Sequence, residues 1–133
     1  MARPPLPRPT DSELSILQIL WRRGPSTVRE VRDELHLTRP TGYTTALKLL
    51  QIMADKGLVE RDIAERTHVY RASHSQEQTQ TLLVKDLLNR AFDGSAARLV
   101  MQALAVGDTP AHELEQIRKL LDEHKGKIHD TSH

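Results

Sequence analysis

The stretch from Thr41 to Gly57 constrains the fold most strongly, because its residues form one amphipathic helical pattern that runs straight into an extended segment. Apolar side chains recur at helical spacing on one face, at positions 46, 47, 50, 53 and 54. The opposite face carries Thr44, Thr45, Lys48 and Asp55. Gly57 is typical of the left-handed residue that ends a helix, and Leu58 begins the extended segment. This order is typical of the second helix of a helix-turn-helix that leads into a winged hairpin.

Two earlier helices complete the helix-turn-helix pattern. Thr10 and Glu13 have the spacing of a capping box and predict a helix that ends before Gly24-Pro25. Thr27 and Glu30 form a second capping box and predict a shorter helix. A short turn that ends in a proline separates this helix from the stretch described above, as a helix-turn-helix requires.

A predicted hairpin follows the third helix. The segments 58–63 and 67–72 are rich in residues that favour strands, and the three residues between them suit a hairpin loop. An isolated hairpin is marginally stable in water, so part of it must pack on the helices. We expect that part to be Leu58, Val59 and Tyr70, with Arg61, Arg66 and His68 near the tip or edge. Residues 10–73 are thus predicted to form one winged helix-turn-helix domain.

The second half of the chain has no strand pattern and contains three predicted helices, which end near residues 92, 105 and 126. Three short helices enclose little core, so residues 74–126 need a partner surface, either the winged domain or a second copy of the same helices. The second copy is the more economical interpretation, and it predicts a homodimer. The apolar residues expected at its interface are Leu83, Leu87, Phe92, Leu99, Leu104, Leu114, Ile117 and Leu121. The predicted fold class is therefore mainly α (α+β), a winged helix-turn-helix followed by a helical dimerisation region.

Both ends are predicted to lack regular structure. Residues 1–9 are rich in proline and arginine, which indicates a flexible basic arm. This arm is either a disordered leader or a segment whose arginines touch a phosphate backbone. Residues 127–133 are expected to form a disordered tail.

Composition excludes several classes of protein. The chain has no cysteine, so disulfides, thiolate metal sites and thiol nucleophiles are excluded. No apolar run approaches the roughly 20 residues that cross a bilayer, so we expect a cytoplasmic protein without membrane insertion. Residues 1–73 hold 12 Lys+Arg against 9 Asp+Glu, whereas residues 74–133 hold 7 against 9. The basic excess lies with the predicted winged domain, which is compatible with a polyanion partner.

No pattern of catalytic or cofactor chemistry is present. The sequence shows no Ser/His/Asp set, glycine-rich phosphate loop or paired carboxylates, so we predict neither an enzyme nor a cofactor. His129 and His133 have the spacing of two metal ligands on one helix face, but they lie in the predicted tail. The sequence therefore predicts no metal site.

The polar face of the third helix suits the major groove of DNA. Threonine hydroxyls can donate to or accept from base edges, Tyr43 offers a ring or a hydroxyl, and Lys48 can reach phosphate or guanine. The residues predicted to bind DNA are Arg39, Thr41, Tyr43, Thr44, Thr45, Lys48, Arg61, Arg66 and His68. The alternative is that this face is simply solvated, as in a winged helix that binds proteins.

Several segments together closely resemble the penicillinase-repressor family, typified by BlaI and MecI. They are PTDSELSILQILW (9–21), GPSTVREV (24–31), GYTTALKLL (42–50), KGLV (56–59) and HVYRA (68–72), and further on LNRAFDGS (88–95) with LV at 99–100. The resemblance implies a homodimeric repressor whose winged helices bind a palindromic double-stranded DNA operator and whose C-terminal helices form the dimer.

The same resemblance implies a route of induction. In the antibiotic-responsive members, a membrane sensor protease triggers cleavage of the C-terminal helices, which abolishes dimerisation. The family's cleaved Asn-Phe pair corresponds to Gln102-Ala103 in this chain, which departs from the family pattern.

Overall fold

The computed structural model describes residues 7–64 and 66–131, with the side chains of Ala64 and of residues 127–131 left out of the description. Most of the predicted arm 1–9 lies outside these residues, as do Glu65 of the hairpin loop and the last two residues of the predicted tail. The described elements are α1 (Asp11–Arg23), β1 (Ser26–Thr27), α2 (Val28–His36), α3 (Tyr43–Lys56), β2 (Val59–Ala64), β3 (Thr67–Ala72), α4 (Gln76–Ala91), α5 (Ala96–Val106) and α6 (Ala111–Thr131).

The predicted fold class is confirmed. Helices α1, α2 and α3 pack with a small antiparallel sheet of order β1-β3-β2, which makes a winged helix-turn-helix. The chain divides into two compact units that meet between Asp86 and Leu87, inside α4. The predicted boundary lay earlier, after residue 73.

Capping boxes start α1 and α2 as the sequence predicted. The Thr10 hydroxyl accepts from the Glu13 backbone N–H at 3.2 Å, while the Glu13 carboxylate accepts from the Thr10 N–H at 2.9 Å. Thr27 and Glu30 repeat the arrangement at α2. These reciprocal bonds satisfy two backbone donors at each helix start, so both helices begin where local chemistry requires.

The core of the first unit lies between α1, α2, α3 and the sheet. Helix residues such as Ile16, Val31 and Leu50 are fully buried in it. Leu58, Val59 and Tyr70 are buried as predicted, which confirms that the wing packs back on the helices. Because β1 pairs with β3 directly before α2 begins, the sheet also holds the helix-turn-helix against the wing.

An ion pair between the buried Glu13 and the more exposed Lys56 joins the two ends of this core. Lys56, the last residue of α3, donates to both carboxylate oxygens of Glu13 at 2.8 and 3.0 Å. Burial raises the pKa of the Glu13 carboxyl, but hydrogen bonds from Lys56 and from the Thr10 backbone outweigh it, and the pKa lies below its ordinary value. The pair therefore fixes the C-terminal end of α3 against the start of α1.

The first part of α4 belongs to the winged unit. Trp21 Nε1 donates to the carbonyl of His74 at 3.0 Å, and Thr79 in the first turns of α4 is buried. Arg8, one of the arm residues that the structure describes, forms an ion pair with Asp86 at 2.6 Å. These contacts between residues far apart in the sequence explain why the unit boundary falls inside α4 instead of before it.

The second unit comprises the end of α4 together with α5 and α6. None of the described side chains from Leu87 to Gly126 is buried. Helix α6 continues to Thr131, although the sequence predicted that it would end near Gly126. A single glycine inside a helix costs only about 1 kcal/mol, and no proline follows this one, so the helix has no strong reason to stop there.

Candidate nucleic-acid interface

Helix α3 presents a polar face to solvent. Ala46, Leu50 and Met53 are buried on its inner side. The outer side exposes Thr44, Thr45, Lys48, Gln51, Ile52 and Asp55. Gly42 begins the helix without a side-chain cap, so the backbone N–H groups of the first turn stay available to an anion. Helix α3 therefore has one buried face and one exposed face, as the sequence predicted.

The turn before α3 is held by side chains of α2. Arg32 Nε donates to the carbonyl of Thr41 at 2.8 Å, and His36 Nδ1 accepts from the Thr41 N–H at 3.1 Å. The Thr41 hydroxyl itself donates to the carbonyl of Arg39 at 2.8 Å. Thr41 therefore helps to shape the turn, and Arg32 contributes to the site by orienting the start of α3.

The two faces of the wing carry different charges. Side chains alternate along paired strands, and the buried Tyr70 identifies the face toward the helices. Arg61 lies opposite Tyr70 and Ile63 opposite His68, so all four share that face. Glu60, Asp62 and Arg71 share the other face.

On that outer face, Arg71 Nε donates to Glu60 at 2.9 Å, and Arg71 also pairs with Asp62 at 3.5 Å. The hydrogen bond to Glu60 is the main reason why the pKa of Arg71 is raised. Glu60 and Asp62 are thus neutralised locally and lie on the opposite side from Arg61 and His68.

A concave surface lies between the start of α2, the exposed side of α3 and the tip of the wing. It brings together three residues predicted to bind DNA, Tyr43, Arg66 and His68. Arg29 and Gln51 line the same surface, and the sequence did not single them out. We call it the wing groove; its lining is completed by Thr27, Val28, Leu47 and Thr67.

The other predicted residues lie elsewhere around α3. Arg61 lines a second concavity, which shares Gln51 with the wing groove and is completed by Ala54, Asp55, Val59 and Glu60. Arg39, Thr41 and Thr45 line a third, next to the start of α1. Thr44 and Lys48 line none of these concavities and are exposed. The predicted residues therefore surround α3 without forming a single cluster.

Most cations of the first unit that have no ion-pair partner among the described residues lie near α3 and the wing. Within residues 7–86, Arg22, Arg23, Arg32 and Lys56 form ion pairs with nearby carboxylates. The cations that have no ion-pair partner among the described residues are Arg29, Arg39, Lys48, Arg61, Arg66 and Lys85. All but Lys85 lie on α3, the wing, the start of α2 or the turn between α2 and α3, so this surface is suited to a polyanion.

The residues predicted to form a dimer interface lie mostly in the second unit. Leu83 precedes the boundary, and Leu87, Leu104, Leu114 and Leu121 are each more than a third exposed. Phe92, Leu99 and Ile117 are half-buried. Gln102 and Ala103 lie inside α5 and are both exposed.

Neither a cluster of metal ligands nor a membrane-spanning helix is present among the described residues. No group of three or more potential metal ligands occurs in them. The pair His129 and His133 lies outside the described side chains. No helix within the described ranges is both long and apolar enough to cross a membrane.

A helix-turn-helix with a short sheet, whose second helix and wing carry cations without ion-pair partners in the described part of the chain, defines a winged-helix transcriptional regulator. The chain belongs to the penicillinase repressor family, which it matches over residues 9–123. It is therefore a transcriptional regulator and not an enzyme.

Comparison with known proteins supports this assignment. The chain is 35% identical over 121 residues to the transcriptional regulator BlaI of Mycobacterium tuberculosis (strain CDC 1551 / Oshkosh), a match that covers 89% of this chain and 86% of that protein. It is 23% identical over 122 residues to the penicillinase repressor of Bacillus licheniformis, covering 92% and 95% respectively. The fold resembles that of the transcriptional regulator Tm0710 from Thermotoga maritima, with a TM-score of 0.51 at 18% identity over 91% of this chain and 77% of that one.

Proposed function

We propose that the chain is a homodimeric repressor that binds a palindromic DNA operator through α3 and the wing, in the cytoplasm. The observation that carries this proposal is the set of cations near the exposed face of α3 that have no ion-pair partner among the described residues, namely Arg29, Arg39, Lys48, Arg61 and Arg66. The penicillinase repressor of Bacillus licheniformis is a relative whose name describes repression, which is consistent with the proposal.

In this proposal α3 enters the major groove, where Thr44, Thr45 and Lys48 meet base edges or phosphate. Arg29, Arg66 and His68 in the wing groove hold one phosphate backbone, since all three are exposed and lie beside α3. The acidic face of the wing points away from the DNA and is neutralised by Arg71.

The exposure of residues 87–126 supports dimerisation through them. A helical unit in which no described side chain is buried has little core of its own, and Met101, Leu121 and Val106 are 61%, 56% and 83% exposed. A second copy of the same helices supplies the missing surface. Because one winged domain neutralises only a few phosphates, joining two of them raises the effective concentration and makes a palindrome the preferred target.

Loss of the dimer would then release the DNA. One route is cleavage of the Gln102-Ala103 bond by a sensor protease, for which the exposure of both side chains is favourable. The bond lies inside α5, and proteases bind extended substrates, so this route requires α5 to unwind locally. A signal that separates the two copies without cleavage would have the same effect on DNA affinity.

Sedimentation and fluorescence anisotropy test the proposal in the full chain. We expect a dimer that binds DNA from upstream of its own gene at a stated salt concentration and that loses affinity steeply as salt rises. Leu104→Glu combined with Leu121→Glu should yield a folded monomer with operator affinity lower by about 10²-fold or more, since the avidity is lost.

Gln102→Glu combined with Gln116→Glu serves as the matched control, because it adds the same two charges at exposed polar positions of α5 and α6. A monomeric wild-type chain that holds a palindrome tightly would contradict the dimer. A wild-type dimer without sequence-dependent DNA binding would favour the alternative, a winged helix that binds proteins.

A further inference from the structure

Gln51 occupies a central position on the exposed side of α3. It follows Lys48 by three residues and Thr44 by seven, so the three side chains form one stripe along the helix. Gln51 is exposed, and it lines both the wing groove and the concavity that contains Arg61. It therefore lies on the part of α3 that separates these two concavities.

The side-chain amide of Gln51 is available to a ligand. It makes no hydrogen bond to any residue that the structure describes, whereas many other polar side chains of the first unit are engaged locally. A glutamine amide offers donors and an acceptor on one planar group. Lys48 on the same stripe only donates, and Asp55 only accepts.

Charge on both sides of Gln51 indicates where the phosphates would lie. Arg29 and Arg66 lie on the wing-groove side, and Arg61 lies on the other. These cations can hold the sugar-phosphate backbones at the two edges of a groove. A neutral amide between them is then directed at the base edges.

We infer that Gln51 determines specificity by recognising an adenine in the major groove of each half-site. This inference rests on the proposed DNA-binding function. The amide oxygen accepts from adenine N6–H while the amide N–H donates to N7, a bidentate pair that no other base presents in that pattern. At a rise of about 1.5 Å per residue, Gln51 lies about 10 Å along α3 from Thr44, so the two side chains meet different base pairs.

Selection from a random duplex library tests the assignment with the full chain. Wild-type protein should select a palindrome, and Gln51→Ala should lose the preference for adenine at one symmetry-related pair of positions. At that position the discrimination should fall by on the order of ten-fold or more. The salt dependence of binding should stay unchanged, because a neutral side chain displaces no counterions. Replacing that adenine with 7-deazaadenine should weaken wild-type binding and leave Gln51→Ala unaffected.

Two further variants sharpen the result. Gln51→Glu should disfavour adenine, because a carboxylate cannot donate to N7. Gln18→Ala, at an exposed glutamine of α1 away from the wing groove, should leave the selected sequence unchanged.

The possible outcomes distinguish a failure of the proposed DNA-binding function from a failure of the role assigned to Gln51. A wild-type chain that selects no sequence would overturn the proposed function and this inference with it. If Gln51→Ala selects the same palindrome as the wild-type chain, with equal preference at every position, the role of Gln51 alone is overturned. A lost preference at guanine or a pyrimidine would overturn the assignment to adenine.

Discussion

Replacement of Lys56 by methionine tests how the end of α3 is held. The variant keeps most of the aliphatic side chain but leaves the Glu13 carboxylate buried without its ammonium partner. The Glu13 side chain is 3% exposed, whereas that of Lys56 is 39% exposed, so solvent already screens one end of the pair. Removing one partner of a fully buried pair costs about 3–5 kcal/mol, and this screening reduces the expected loss to about 2 kcal/mol at pH 7. For a unit of this size the loss corresponds to a Tm lower by about 10 °C.

The loss should depend on pH. In the wild-type chain the folded-state pKa of Glu13 lies below its ordinary value, so the stabilisation is complete above the unfolded-state pKa and is lost as the pH falls through the folded-state pKa. Without Lys56, burial becomes the main remaining influence and raises the pKa of Glu13. The difference in unfolding free energy between wild type and variant should therefore be largest at neutral pH and shrink at about pH 4 and below.

Thermal melts followed by circular dichroism at pH 7 and at about pH 4 measure both effects. Lys48→Met is the matched control, because Lys48 lies on the same helix, is exposed and has no ion-pair partner among the described residues. It should change the unfolding free energy by less than about 0.5 kcal/mol. Equal melting temperatures for Lys56→Met and wild type at pH 7, or the same loss at both pH values, would refute the reasoning.

Three other predictions concern the interface and the connection to α4. Lys48→Ala and Thr44→Ala should weaken operator binding without a large shift in melting temperature. If Lys48 contacts a phosphate, Lys48→Ala should also reduce the slope of log affinity against log salt by about 1, which an anisotropy titration at several salt concentrations measures. A melting temperature lowered by many degrees would contradict the surface role of either residue. Trp21→Phe removes the hydrogen bond to the His74 carbonyl and should cost about 1 kcal/mol in urea unfolding, with an unchanged stability counting against that contact. Arg66→Gly should stabilise the fold by up to about 1 kcal/mol, because Arg66 has a φ of 70°, a left-handed conformation that glycine adopts more easily. The same variant should weaken DNA binding, because a cation is lost. A destabilised variant would contradict the expected gain in stability.

Local chemistry made much of the first unit predictable. The capping boxes at Thr10 and Thr27 act over three residues, and the core face of α3 follows from a period of 3.6. Gly57 ends α3 in the left-handed conformation with a φ of 83°, as the sequence indicated. The burial of Leu58, Val59 and Tyr70 followed from the instability of a lone hairpin. Each of these features is decided by neighbours in the chain or by a repeating pattern.

The features that the sequence missed depend on residues far apart in the chain. Glu13 and Lys56 are 43 residues apart, and Trp21 and His74 are 53 apart, so only the packing of the helices brings them together. That packing also moves the unit boundary into α4. Gln51 carried no periodic signal of its own, because an exposed glutamine on a helix is ordinary until the wing and α2 bring Arg29, Arg61 and Arg66 around it. The sequence by itself determined the helices, their caps and the hairpin, since these are local, whereas the tertiary structure decided which charges stay unpaired and which polar side chain lies between them.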